Sequence, residues 1–134
     1  MLPRLKQAGV WVLPHPAMSR TRGDLENGTM ELAKLLSDAK VSFAMQSGFE
    51  SYVPKTRVVL WEAGISVMHG LSREEALYAL TANGAKMLGI DGRVGVLRAG
   101  MDADLALFDG DPFEYTTHCV GTYIDGVAYT NTKR

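Results

Sequence analysis

Two uncharged runs, GVWVLP at residues 9–14 and VSFAM at residues 41–45, constrain this chain more than any other feature. The first is apolar on both faces and ends in Pro14, the pattern of a strand buried on both sides. Residues 15–28 between the runs are rich in Gly, Pro and charge and read as a loop. Residues 29–40 then set Met30, Ala33 and Leu36, with Leu32, Leu35 and Ala39, at helical spacing on one face. Strand, helix and strand in that order is what βα units look like.

A polar break, QSGFESYVPK, follows the second run, and residues 58–70 read as another helix, apolar over much of its circumference. Ser72 opens S-R-E-E, a capping box in which the Ser72 hydroxyl and the Glu75 carboxylate satisfy amides at the start of the helix EEALYAL. TANGAKMLGI comes next, with a break expected at Asn83-Gly84 and one further helical turn. After residue 92 the pattern changes. VGVLRAG, ADLALFDG and VGTYIDGVAYT read as short β segments separated by Gly and Asp. With 134 residues the chain has room for one ordinary domain.

Four aspartates, Asp102, Asp104, Asp109 and Asp111, surround the apolar run in ADLALFDGDP and raise the question of a metal site. A calcium loop needs oxygen ligands at alternate positions of one loop, with a late bidentate Glu. Here a strand separates the carboxylates into two groups about 15–20 Å apart, given the rise per residue. Asp also suits turns, because it bonds its own backbone two residues on, while Gly accepts positive φ. These are read as turn residues.

A formal net charge of −1 gives no electrostatic footprint for nucleic acid or an anionic membrane, so neither is expected as a partner. Cys119 is the single cysteine, which excludes an intrachain disulfide and points to a reducing, cytoplasmic setting. No apolar run approaches the length of a membrane span, and no signal-peptide pattern is present.

The stretch RVGVLRAGMDADLALFDGDPFEYTT with VGTYIDGVAY resembles the C-terminal tail of the metal-dependent amidohydrolase superfamily, especially its imidazolonepropionase-like members. There a G-x-L-x-x-G-x-D-A-D-L segment leads from the barrel to a small β-sandwich. LSREEALYALTANGAKMLGI is similar to the helix 8 region before that tail, with Gly84 where the family often has Pro. By order, residues 9–14 would be strand 7, 29–40 helix 7 and 41–45 strand 8. The fold class implied is α/β: the last two βα units of a (β/α)8 barrel over residues 1–92, then short strands of the accessory β-sandwich over 93–134. The resemblance also implies a start just after strand 6, and the opening MLPRLKQAG reads as the end of a helix.

Such enzymes work at the C-terminal ends of the barrel strands. The resemblance implies Zn or another divalent metal held by a His-x-His pair, a carboxylated Lys or a Glu, and further His residues on strands 1 to 6. An Asp ending strand 8 takes the proton of the attacking water. This chain has no His-x-His, and Ser47 stands at the expected strand 8 position, with Gln46 beside it. A serine hydroxyl is no general base near pH 7 without a partner base. No metal or other cofactor is therefore expected in this chain, and no intact catalytic set.

A possible substrate loop comprises His15, Arg20, Arg22, Gln46, Ser47 and Glu50. Each has an ordinary reading beside the functional one. His15 lies at the exit of strand 7 between two prolines and reads first as a loop histidine, with a substrate-contacting or accessory-ligand role as the alternative. Arg20 and Arg22 could hold an anionic group or simply face water, and Glu50 could replace the missing base or be a solvated carboxylate. His69 sits at a helix end, where imidazole suits the negative pole. His118 and Cys119 are adjacent in a β segment and point to opposite faces, so they cannot share one metal. Ser47-Gly48 lacks the surroundings of a nucleophile elbow.

The function expected is that of an amidohydrolase-related chain, hydrolysing C–N bonds of cyclic amide or N-acyl type in the parent family but inactive alone. It would need a separate chain carrying strands 1 to 6. The alternatives are a self-associating binding or scaffold module, as a homo-oligomer, and a truncated gene product.

Overall fold

The two uncharged runs meet in parallel at a bridge between Val12 and Phe43. The Val12 amide donates to the Ser42 carbonyl (2.9 Å) and the Ala44 amide donates to the Val12 carbonyl (3.1 Å), the slanted pattern of a parallel ladder. A computed structural model of the chain describes residues 1–14, 28–47, 49–50, 53–54 and 58–129. Its elements are α1 (Leu2–Ala8), α2 (Leu32–Asp38), β1 (Phe49–Glu50), β2 (Val53–Pro54), α3 (Val59–Met68), α4 (Arg73–Leu80), α5 (Ala82–Leu88), β3 (Leu105–Phe108), β4 (Cys119–Ile124) and β5 (Val127–Tyr129). None of the helices is long and apolar enough to cross a membrane.

Expected as strands of five or six residues, the two runs pair over one bridge instead. The outer edge of the second run is finished by helices: the Met45 amide donates to the Ala79 carbonyl (2.9 Å), and the Asn83 side-chain amide donates to the Phe43 carbonyl (2.9 Å). With no third strand among the described residues beside it, the pair has little to keep it regular.

The helices cover one face of this pair. Ala33 and Leu36 of α2, Ala63 of α3, and Ala76 and Ala79 of α4 are buried against Val41, Phe43 and Leu71. The expected stripe of α2 divides: Ala33 and Leu36 go inward while Met30, Leu32 and Leu35 stay exposed. Similarly, α3 buries Ala63, Gly64 and Ser66 but leaves Trp61 and Met68 exposed, so its apolar circumference is only half used.

Helix α1 ends where Gly9 takes a left-handed conformation (φ 63°) and returns its amide to Lys6. The capping box of α4 forms as expected. The Glu75 amide donates to Ser72 Oγ (3.2 Å), and the Ser72 amide donates to Glu75 Oε2 (3.3 Å). The break expected at Asn83-Gly84 falls two residues earlier. Thr81, at φ −121° and ψ −86°, separates α4 from α5, and α5 runs through Asn83 and Gly84. The Asn83 side chain, bonded to the Phe43 carbonyl, no longer competes with its own backbone, so helix is tolerated there.

VGVLRAG, read as a β segment, is instead a series of turns, because Gly95 (φ 99°) and Gly100 (φ 86°) cannot be part of an extended run. The other two β segments form an antiparallel sheet of order β3-β4-β5. Leu105 pairs with Tyr123 and Phe108 with Cys119, with an irregularity between Leu107 and Phe108. Asp125 (φ 50°) and Gly126 (φ 76°) make the two-residue turn joining β4 to β5, a turn that requires positive φ at both positions. The polar break holds a two-residue antiparallel pair, β1 with β2. The whole is an α/β chain with a small antiparallel sheet.

The loop at Gly95 is pressed onto α5: a Cβ there would lie 2.7 Å from Ala85 Cβ and 3.1 Å from the Ala82 Cα. Gly92 has open space and no positive φ. Gly95→Ala should therefore cost about 1–3 kcal/mol through backbone strain and overpacking. Gly92→Ala should be near neutral. Thermal unfolding of the two variants in parallel measures the difference; equal midpoints would show that this contact does not form.

Candidate functional site at the strand exits

The parallel pair brings residues 13–14 and 45–47 to the same end of the two runs. Gln46 joins them, its side-chain amide donating to the Leu13 carbonyl at 3.4 Å. Ser47, the next residue, is half-buried, and among the described residues no His, Asp or Glu side chain is hydrogen-bonded to its hydroxyl. Among the described residues it therefore has no neighbouring base to activate it. Of the expected substrate loop, the structure thus brings Gln46 and Ser47 to the exit of the first run. Glu50 lies in β1, its side chain undescribed, while His15, Arg20 and Arg22 lie outside the described residues.

Among the described residues no three His, Cys, Asp or Glu side chains gather in a way that could hold a metal ion. The described part of the chain thus does not fit the metal that the resemblance implies, and no chemical step is routed through one here. The four aspartates serve backbone and arginine instead. Asp104 Oδ1 accepts from the Asp125 amide (3.0 Å), and Asp109 Oδ1 accepts from the His118 amide (2.7 Å). Asp102 accepts from Arg93. Asp111 accepts from the Phe113 amide (2.9 Å) and from Arg73 Nε (2.5 Å).

His69 is the C-cap of α3. His118 immediately precedes β4, with its Nδ1 3.4 Å from Asp109 Oδ2, and the exposed Cys119 thiol donates to the Gly121 carbonyl (3.4 Å). Two residues escaped the sequence reading. Asn83, taken for a helix breaker, finishes a strand edge, and the offset of a lone Asn inside an alanine-rich helix was its available signal. Glu62 of α3 is buried, a carboxylate in a helix otherwise read as apolar.

The charged groups perturbed by their surroundings sit away from the strand exits. The Glu75 carboxyl is held below its usual range by hydrogen bonds from Ser37, then from Ser72. Asp109 is lowered chiefly by the His118 amide. Asp111 is lowered by the Phe113 amide and next by Arg73, which also reaches Glu114 at 3.1 Å. These contacts clamp residues 111–117 to the start of α4, alongside the edge-on packing of Trp61 with Tyr115 (6.0 Å).

A family model described as the amidohydrolase family matches residues 33–128. The chain is 33% identical to the amidohydrolase tasK of Hapsidospora irregularis over 101 residues, 75% of this chain and 10% of that protein. It is 48% identical to the imidazolonepropionase of Rubrobacter xylanophilus over 52 residues, 39% of this chain and 12% of that protein. Among solved structures, an amidohydrolase from Thermotoga maritima MSB8 superposes with a TM-score of 0.86 at 29% identity, covering 97% of this chain and 34% of that one. The matched segments thus span about a tenth of these curated relatives, and about a third of the solved chain.

A depressed Asp111 contributes stability that is present above the ordinary carboxyl pKa of about 4 and is lost as pH falls through its lower folded value. Asp111→Asn should lower the melting temperature at pH 7 and flatten the acid limb of stability below about pH 4. Melting curves between pH 2 and 7 report both effects. An unchanged acid limb would mean that the clamp is not formed in solution.

Proposed function

The chain belongs to the amidohydrolase family and is imidazolonepropionase-like, and from that premise we propose that it is the C-terminal part of an amidohydrolase barrel with its β-sandwich tail. Residues 1–92 supply the last two βα units and residues 93–134 the tail. The activity is hydrolysis of C–N bonds in cyclic amides or N-acyl compounds, and it needs strands 1 to 6 from elsewhere. A cytoplasmic setting suits the single free thiol.

The observation that carries this reading is the parallel bridge of Val12 with Phe43. It is covered by helices on one face and left with exposed Val10 and Leu13 beside it. Two adjacent strands of a barrel, seen without their neighbours, would carry such an unfinished pair. Metal donors would come with strands 1 to 6. Ser47, at the strand 8 exit, cannot take the proton of a water nucleophile as a carboxylate can.

The exposed Leu13, Leu32 and Leu35 favour a second reading, in which copies of this chain cover one another as a homo-oligomer. Light scattering of the purified chain is expected to show species larger than the 14.6 kDa monomer. A monodisperse monomer with cooperative unfolding would defeat the homo-oligomer reading, which does not leave the apolar surface bare.

For catalysis, the chain would be mixed with a separately expressed polypeptide carrying barrel strands 1 to 6 of an imidazolonepropionase, with Zn or Mn supplied. Cyclic amides and N-acyl amino acids are the assay panel. Hydrolysis should appear only in the mixture, and weakly. Ser47→Asp should then raise kcat on the order of 10²–10⁴-fold, the usual worth of a positioned base. Robust turnover by the unmodified chain alone would overturn the proposal.

A further inference from the structure

We draw no further inference here: the strongest candidate, the apolar cleft of about 810 Å³ between helices α4 and α5 and strand β3, lined by Leu77, Leu88, Leu97 and Phe108 together with Asp102 and Asp104, carries nothing, because Asp102 is bonded to Arg93, Asp104 to the Asp125 amide, and nothing in the structure shows what covers it.

Discussion

The parallel pair at Val12 and Phe43 has two edges and two faces, and the described chain finishes one of each. The finished face is made almost entirely of alanine on the helix side: Ala63, Ala76 and Ala79 have essentially no exposure. Small side chains let the backbone of α4 come close enough for the Ala79 carbonyl to take the Met45 amide directly. Asn83 then reaches the Phe43 carbonyl from the first turn of α5. The close approach and the finished edge are thus one arrangement. A larger residue at 79 would lift the helix and leave both strand groups without partners, at the cost of buried, unsatisfied backbone.

The same arrangement explains where the large apolar side chains go. A core of alanines leaves little room for Leu, Met and Trp. Among the described residues Leu36, Val41, Phe43 and Leu71 are the larger apolar side chains that are buried, while Trp61, Met68, Leu88 and Leu97 are more than half exposed. Full burial of such a side chain is worth about 1.5–3 kcal/mol. Ordinary domains gain stability by hiding these groups, and the described residues hide only a few of them beside the alanines. Exposure on this scale is typical of a surface meant for contact, which is why the reading of a barrel part and the reading of an oligomer both require cover.

Local signals in the sequence translated well where they rest on a few adjacent residues. The S-R-E-E box became the α4 cap because both of its hydrogen bonds close within four residues. The turn aspartates likewise found amides nearby, or across one hairpin. Long-range facts were harder to read. A lone Asn in a helical stretch hints at a role for its side chain but does not name the carbonyl 40 residues away that it serves, so composition alone suggested a break. VGVLRAG has the composition of a strand, yet its glycines serve positive φ and close contact with α5. The apolar stripe of α2 was right for Ala33 and Leu36 and too wide at Met30, Leu32 and Leu35, because helical spacing alone does not say how much of a stripe finds a neighbour.

The candidate site shows how far scaffold and chemistry can separate in one chain. Among the described residues every carboxylate with a clearly lowered pKa, Glu75, Asp109 and Asp111, is engaged in holding a cap, a turn or a clamp. None of them is at the exit of the strand pair. What is described there is Gln46, which ties one run to the other, and Ser47, whose hydroxyl has no base beside it among the described residues. A hydroxyl near its ordinary pKa is neutral at pH 7 and does not draw a proton from water. An amide stabilises geometry without titrating at all. Gln46 therefore holds shape, and neither residue contributes charge. Any hydrolysis at this exit must draw its proton acceptor and its electrostatic stabilisation from groups beyond Gln46 and Ser47, and an aspartate at 47 would be the smallest change that gives the exit a base of its own.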